Sequence, residues 1–534
     1  MTSSASISPN FQTGAHSRIF FGHPLGLLLL FLVEMWERFS YYGMRGLLVL
    51  YLVTQVAGPN PGRGMSKEAA SNIYGWYAGM AYLLPIFGGI IADKLIGTHR
   101  SLLIGGLTIT LGHIALAVSG LGSMGESHLG MSVFIAGLVL IVIGTGYFKP
   151  NVSVMVGSLY SADDPRRDGA FTIFYMGINL GAFLCSFVCG TLGERVGWHW
   201  GFGAAAVGML LGLIIYLLAR PYCLQNIGDA PQGKPNYAPL FFLLALAVAS
   251  IFSVFFYLGT FSLIGAFLGQ VGATTWGGIA ATLLRWLMVL ALIIWPLWFI
   301  SKQEVSDRGP TACILIFIVF NAVFWLAFEQ AGTSLNLFGA ELTDRRLGGW
   351  EMPATWFQSV GAFVIILLAP AFAGLWSSLA RRNLNPSQPL KIAYGLFFLG
   401  LGYVLMVFAA LHAAPSHRVS MFWLLGTYTL HTLGELCISP TGLAFVTRAA
   451  PVRYVSFLMG LSFLSNSLAN LLGGYMAGQI EKIESGQISL FWYGWFRLGG
   501  QADFFLLFVI SSFGAGFVIL LLSPLLNRML GARA

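Results

Sequence analysis

Residues 33–51, VEMWERFSYYGMRGLLVLY, carry ionisable side chains inside an apolar run. Several of them recur at spacings of three or four residues, which places them on or beside one face of a helix. They are Glu34, Glu37, Arg38, Tyr41, Tyr42 and Arg45. The segment therefore predicts a helix that presents acids, bases and phenols to one interior.

Two interpretations of this cluster are open. The side chains could form locked salt bridges that only hold helices together, although packing alone has cheaper solutions in lipid. The interpretation we favour is a site for protons and anions, because charged groups in a bilayer are costly and usually functional. Burial disfavours a charged carboxylate and a neighbouring arginine favours it. An acid in that balance can change its protonation when the conformation changes.

Residues 143–157, IGTGYFKPNVSVMVG, place Lys149 in the middle of another apolar run. A buried ammonium group needs an anionic partner, and Glu34 and Glu37 are the predicted partners. The alternative is a lysine that extends to the membrane interface along its apolar stem.

A phenol and an amide share a helical face in residues 171–183, FTIFYMGINLGAF. Tyr175 and Asn179 are four residues apart. Together they suit the backbone-like polar groups of a substrate. Interhelical hydrogen bonds explain them equally well.

Acids also occur late in the chain. Glu329 shares a face with Trp325, and Glu435 shares a face with Ser439. Glu435 could receive a positively charged group or pair with His431, one turn earlier. Pro440 predicts a break in that helix.

The composition determines the class of protein. Only 9% of the 534 residues are charged and 57% are hydrophobic, whereas soluble proteins carry about 25% charged residues. This excludes a typical soluble domain, and the scattered basic residues exclude a nucleic-acid binder. We predict an all-α multi-pass membrane protein with fourteen spans, including one at 310–338, since only helices satisfy the backbone in lipid without a barrel.

Loop charges and a weak internal repeat predict the organisation. Sixteen basic residues fall in alternate loops and eight in the others, which places both termini in the cytoplasm. Residues 87–107 resemble 372–396 six spans later, as in two-fold transporter designs. A break is expected at 306–310. The predicted parts are a cytoplasmic tail 1–22, a six-helix bundle 23–220, an inserted two-helix hairpin 236–303 and a six-helix bundle 309–528.

No metal or cofactor is expected. The five cysteines have no metal-binding spacing. His113 and His431 have no neighbours that would complete a metal site. An enzyme is disfavoured as well, because the sequence has no HExxH motif and no Ser–His constellation.

The signs of the interior charges suggest a ligand. Arg45 and Lys149 come from the first half, and Glu329 and Glu435 from the second. A zwitterion with separated carboxylate and ammonium groups would fit between them. The residues alone thus predict a proton-coupled secondary transporter of a small polar solute, with the zwitterion as a hypothesis.

Five motifs in order resemble the proton-dependent oligopeptide transporter family, a branch of the major facilitator superfamily. They are EMWERFSYY, GGIIADKLIGTHRSLLIGG, GTGYFKPNV, FTIFYMGINLGAF and GELCISPTGL. The resemblance covers nearly the whole chain and is closest to prokaryotic members, which carry an inserted helical pair. It implies a major facilitator fold and proton-driven import of di- and tripeptides across the plasma membrane by a monomer.

The resemblance also implies roles for individual residues. Proton coupling would use Glu34, Glu37, Arg38 and Lys149. Arg45 and Glu329 would form an extracellular gate. The substrate site would be formed by Arg45, Tyr41, Tyr42, Tyr74, Lys149, Tyr175, Asn179, Trp325, Glu435 and Ser439.

Two departures and three rival functions remain. Many members carry a tryptophan near Ser462, so side-chain selectivity could differ, and the second span lacks the histidine of animal members.

A carrier of nitrate, conjugates or peptide-like drugs is the closest rival, although Glu435 would repel a simple anion. A non-transporting receptor would be expected to have lost Lys149 or Glu37. A membrane-embedded enzyme is the remaining alternative.

Overall fold

The computed structural model describes residues 19–20, 22–161, 163–230, 235–414 and 416–531. The predicted tail, residues 1–22, lies almost entirely outside them.

The helices form three consecutive groups. The first group consists of α1 (Leu25–Val53), α2 (Lys67–Ile91), α3 (Thr98–Val118), α4 (His128–Gly157), α5 (Arg167–Cys185), α6 (Thr191–Arg195) and α7 (Trp198–Cys223). The second consists of α8 (Ala238–Tyr257), α9 (Thr260–Ala273) and α10 (Thr275–Ser301). The third consists of α11 (Val305–Phe328), α12 (Ser334–Glu341), α13 (Gln358–Arg381), α14 (Gln388–His412), α15 (Phe422–Ala449), α16 (Val455–Gly478), α17 (Ile480–Glu484) and α18 (Gly500–Leu530).

Three two-residue strand pairs lie in the connections. They are β1 (Ile19–Phe20) with β2 (His23–Pro24), β3 (Thr343–Asp344) with β6 (Val419–Ser420), and β4 (Arg346–Leu347) with β5 (Trp350–Glu351). The pair β3–β6 is parallel, and the other two are antiparallel.

This architecture is an all-α multi-pass membrane protein. Among the described residues, ten helical segments are long and apolar enough to cross a membrane. α1 is long enough, with 29 residues, but its charged side chains lower its hydropathy. The number fourteen stays a prediction.

Each helical bundle has its own packing. In the first group α1 packs on α5 and α7, and α3 packs on α4. In the third group α14 packs on α15 and α18. The helices α8 and α10 attach to different groups, since α8 lies along α4 and α10 contacts α11. The middle group therefore contacts both bundles.

Two predicted boundaries are wrong. Residues 306–310 lie inside α11 rather than in a break, because α10 ends at Ser301 and α11 already begins at Val305. The predicted span 310–338 agrees with one candidate membrane span, Val305–Glu341. Within it α11 stops at Phe328, and a 3₁₀ turn, Glu329–Gly332, precedes α12. The second wrong boundary is the break expected at Pro440, because α15 continues through this residue to Ala449.

The two bundles meet most closely along α2 and α16. A Cβ added to Gly75 would lie 2.9 Å from Gly474 Cα, and one added to Gly79 would lie 2.7 Å from a side-chain carbon of Leu471. Glycine is required here because the two backbones approach directly, as in small-residue contacts between membrane helices.

The first prediction concerns this seam. Gly75→Ala should lower the free energy of unfolding by about 1–3 kcal/mol, because its methyl group would force the helices apart. Denaturation of the purified protein, followed by tryptophan fluorescence, measures the change. Gly374→Ala in α13 is the matched control, because nothing lies within 4 Å of its added Cβ. Equal stability of the two variants would contradict close packing at Gly75.

Candidate functional site

The acidic and basic side chains of α1 form a buried ion cluster. Arg38 Nε lies 3.1 Å from Glu34 Oε1 and also contacts the carboxylate of Glu37. All three residues are at most 4% exposed. Tyr41 packs beneath the Arg38 guanidinium, 5.1 Å from the ring centroid. The apolar residues around these positions keep the helix in lipid, and so the charges must satisfy one another.

A second ion pair joins the two bundles. Arg45 of α1 forms an ion pair with Glu329. Nε of Arg45 also donates a hydrogen bond to the hydroxyl of Tyr74 in α2. Arg45 is 6% and Glu329 4% exposed. A buried pair of this kind is stable only while both partners are present.

The break after α11 positions Glu329. The helix ends at Phe328, and Glu329 begins the 3₁₀ turn. Gly332 closes this turn, and a Cβ there would lie 1.9 Å from the Tyr74 hydroxyl. The chain then enters α12, where Asn336 Nδ2 donates to the carbonyl of Gly46 at 2.9 Å. The broken helix thus places its acid beside α1.

Lys149 has a different neighbour from the predicted one. Its ammonium lies over the ring of Tyr82, 4.1 Å from the centroid. In the described part of the chain no ion pair involves Lys149, and Arg38 occupies both predicted partners, Glu34 and Glu37. An aromatic face can hold a cation in this way.

A central cavity of about 140 Å³ lies between the bundles. This is smaller than the roughly 300–1,000 Å³ of typical small-molecule sites. Its lining combines aromatic, amide and charged groups from both bundles. The lining residues are Tyr42, Arg45, Tyr82, Asn179, Ala182, Cys185, Ser186, Trp325, Phe328, Glu329, Ala331, Gln358, Gly361, Ala362, Ile365, Tyr428, His431, Thr432 and Glu435.

Six of the predicted site and gate residues line this cavity. They are Tyr42, Arg45, Asn179, Trp325, Glu329 and Glu435. Tyr41 is buried behind the lining under Arg38, and Tyr74 lies beside Arg45. Lys149 touches the lining through Tyr82. Ser439 is half-buried, and its hydroxyl has no hydrogen-bond partner among the described residues.

Glu435 lies on the opposite bundle from Arg45 in the same cavity. The Tyr175 hydroxyl is 3.5 Å from its carboxylate, and Asn179 Nδ2 donates to the Tyr175 carbonyl at 2.9 Å. His431, the alternative partner, instead packs on Tyr403 with ring centroids 4.7 Å apart. The cavity therefore has an acid at one wall and a paired arginine at another.

Sequence reasoning missed Tyr82, Gln358 and Tyr428. Tyr82 was visible as a phenol in an apolar helix, but its link to Lys149 depends on how α2 packs on α4. Gln358 is the first residue of α13 and lines the cavity. Its buried amide nitrogen has no hydrogen-bond partner among the described residues. No spacing in the sequence marks these residues as cavity lining.

Ser462, near which many members of the family carry a tryptophan, is not among the residues that line the cavity. Its hydroxyl donates to the Leu458 carbonyl at 3.1 Å, one turn earlier in α16. Trp325 instead donates its indole N–H to Asn321, at 3.1 Å.

The ion pairs that join the bundles lie at one end of the molecule. At this end Lys67 pairs with Glu341 at 2.7 Å, and Glu68 pairs with Lys482 at 2.9 Å. Lys67 and Glu68 begin α2, Glu341 ends α12, and Lys482 lies in α17. We call this the closed end, and it lies on the same side of the cavity as the Arg45–Glu329 pair.

Comparisons with known proteins agree with this arrangement. The model of the POT family matches residues 99–493. The chain is 40% identical to the "Peptide transporter YePEPT" of Yersinia enterocolitica over 87% of this chain and 89% of that protein. It is 34% identical to a "Di-/tripeptide transporter" of Lactococcus lactis subsp. cremoris over 96% of this chain and 98% of that protein.

Solved structures show the same fold. A crystal structure of peptide transporter POT in complex with sulfate matches with a TM-score of 0.77 and 34% identity, covering 96% of this chain and 97% of that chain. A POT family transporter in complex with 5-aminolevulinic acid matches with a TM-score of 0.77 and 28% identity, over 96% and 98% of the two chains.

The second prediction tests the buried pair. Glu329→Gln and Arg45→Gln should each lower the free energy of unfolding by about 3–5 kcal/mol, because each leaves one buried group without its partner. The double variant should lose less than the sum of the two. Denaturation of the purified protein measures these values.

The exposed rim pair supplies the control. Glu481, 53% exposed, lies 4.0 Å from Lys67, so Glu481→Gln should change stability by less than about 1 kcal/mol. Additive effects of the two Gln substitutions would show that Arg45 and Glu329 do not interact.

Proposed function

The chain belongs to the POT family of transporters, and from that premise we propose that it is a proton-coupled symporter that imports di- and tripeptides. The observation that carries the proposal is a cavity lined by both bundles, with Arg45 from one bundle and Glu435 from the other. A peptide has a carboxylate and an ammonium group at its two ends, and this separation of charge matches the cavity.

The cavity residues bind the peptide by its common groups. Arg45, with Lys149 nearby, attracts the carboxylate, and Glu435 attracts the amine. Asn179 and Tyr42 hydrogen-bond the peptide group between them. Trp325 forms an apolar wall for side chains. Tyr41, Tyr74 and Tyr175 support this site through their contacts with the charged residues Arg38, Arg45 and Glu435. Ser439 follows Glu435 by one turn of α15.

Coupling to protons uses the buried cluster of α1. A proton on Glu34 or Glu37 neutralises a partner of Arg38 and weakens its ion pair. The freed positive charge, with that of Lys149, then favours the peptide carboxylate. When the proton leaves, the glutamate pairs with Arg38 again, and this ties proton release to peptide release.

The halves alternate access to this site. The Arg45–Glu329 pair acts as a gate at the closed end, which we assign to the extracellular side because α1 begins after a cytoplasmic tail. The structure then corresponds to a state closed towards the outside. Opening that end separates Arg45 from Glu329 and enlarges the narrow cavity to the size of a peptide.

The site and the proton gradient together indicate the membrane, the topology and the oligomeric state in which the protein works. The protein acts in the bacterial plasma membrane with both termini in the cytoplasm. The residues of the site come from one chain, which supports a functional monomer. The proton gradient replaces a cofactor or metal: a potential of ~100 mV contributes about 2.3 kcal/mol per charge, or about fifty-fold accumulation per proton.

Uptake into proteoliposomes tests the function. A labelled dialanine peptide should accumulate under an inward proton gradient, and an ionophore should abolish the accumulation. Peptide exchange without accumulation would support the binding site and contradict coupling. If the folded protein moves no peptide but moves nitrate, a conjugate or another small polar solute, the peptide assignment is wrong.

The third prediction concerns coupling. Lys149→Ala should abolish gradient-driven accumulation, because the site loses the cation that responds to the α1 cluster, while peptide exchange persists. Lys302→Ala, at an exposed position after α10, is the control and should accumulate peptide normally. Normal concentrative uptake by Lys149→Ala would contradict its coupling role.

The fourth prediction concerns the amine. Glu435→Gln should raise the apparent KM for peptides with a free amino group by at least about tenfold, because removing one partner of a charged hydrogen bond costs roughly 1.5–3 kcal/mol. N-acetylated peptides should be affected less. Competition uptake with both peptide types measures the difference, and equal losses would remove the assignment of Glu435 to the amine.

A further inference from the structure

A second contact between the bundles lies at the closed end, on elements other than those that carry Arg45 and Glu329. In the first bundle a π-helical turn, Ser186–Gly190, leads into α6. In the third group a 3₁₀ turn, Ala354–Phe357, precedes α13. Glu194 of α6 reaches across to this turn.

Three donors converge on the carboxylate of Glu194. The backbone N–H groups of Ala354 and Thr355 donate to it, each at 2.8 Å, and the Thr355 hydroxyl donates at 2.7 Å. The guanidinium of Arg345 lies 3.8 Å away. The Glu194 side chain is 13% exposed. These are charge-assisted hydrogen bonds, which are stronger than neutral ones.

The surfaces around Glu194 fit each other closely. Trp356 Nε1 donates to Thr191 Oγ1 at 3.0 Å, and a Cβ added to Gly190 would lie 2.1 Å from Thr355 Oγ1. Ser359 Oγ donates to the Phe183 carbonyl at 2.8 Å. The contact is therefore a formed interface and not one isolated hydrogen bond.

We propose that Glu194 is a positioning residue that forms a second closing contact of the outer gate, in addition to the Arg45–Glu329 pair. The inference rests on the proposed function, because it assigns this contact to one state of the transport cycle. The two contacts share no residue and lie on different elements: α6 and the 354–357 turn in one case, α1 and the 329–332 turn in the other.

The convergence explains why Glu194 would control the gate. All three donors belong to the opposite bundle, so separating the bundles at this end breaks every hydrogen bond at once. In the open state water would solvate the carboxylate and the donors. The contact stabilises only the closed arrangement, and its loss shifts the population towards the state open to the outside.

A native cysteine reports this population. Cys185 lines the central cavity and is only 1% exposed. A membrane-impermeant maleimide added to intact cells reaches it when the outer end opens. Peptide mapping by mass spectrometry measures the rate of Cys185 modification separately from the other four cysteines.

Glu194→Ala is expected to increase this rate about tenfold or more, because charge-assisted hydrogen bonds to the closed state are lost. Glu126→Ala is the matched control. Glu126 is exposed in the loop between α3 and α4, at the same end, and its variant should label at the native rate. Native labelling of Glu194→Ala, or equal acceleration in both variants, would overturn the proposal.

A double variant tests the partner. Thr355→Val removes one donor and should accelerate labelling less than Glu194→Ala. The combination Glu194→Ala/Thr355→Val should equal Glu194→Ala alone, because both remove one interaction. Full additivity would overturn the assignment. If Glu194→Ala does not reach the membrane, Glu194→Gln, which keeps an acceptor oxygen, should show a smaller increase, and no increase would overturn it.

Transport supplies a readout that a merely structural role would not move. More of the outward-open state should lower the apparent KM for external peptide, since apparent affinity scales with the competent fraction. An unchanged KM with faster labelling would overturn the gate role. Labelling needs no peptide, so accelerated labelling without any peptide transport would support the contact while contradicting the proposed substrate.

Discussion

The buried ion pair between Arg45 and Glu329 is the interaction on which the central site depends. It joins the first helix of one bundle to a helix break in the other, and both side chains are almost fully buried. Neither charge is tolerable alone in an apolar interior. The pair therefore holds one wall of the cavity in place for as long as the bundles stay together at this end.

The pair works with two other kinds of contact. Glycines along α2 and α16 let the backbones approach, and this brings the bundles close enough for side chains to meet. Nearer the rim, Glu194 receives donors from the opposite bundle. The glycine packing extends along two whole helices, whereas the polar contacts are few, and all of them break when the bundles separate at this end. This combination suits an interface with two discrete arrangements.

The α1 cluster differs from the interbundle pair because all its members belong to one helix. Glu34, Glu37 and Arg38 stay together whichever way the bundles move. In the proposed cycle their mutual attraction changes with protonation, whereas the Arg45–Glu329 pair changes with conformation. Lys149 packs against Tyr82. Among the described residues it has no ion-pair partner, so in the proposed cycle it can respond to charge in either system.

Composition and residue spacing are enough to predict the membrane class, the helical architecture, the polar face of α1 and the opposite interior charges of the two halves. These depend on composition and on local helical periodicity, which neighbouring residues specify. Other features depend on how the helices pack and could not be predicted from the sequence. Arg38 pairs with both Glu34 and Glu37, and Lys149 packs against Tyr82. Likewise, α11 ends before Glu329, and Gln358 and Glu194 lie between the bundles. Such contacts join residues that are far apart in the sequence, as Glu194 and Thr355 are 161 positions apart, or depend on which of several residues wins one partner. The packing of whole helices selects among them.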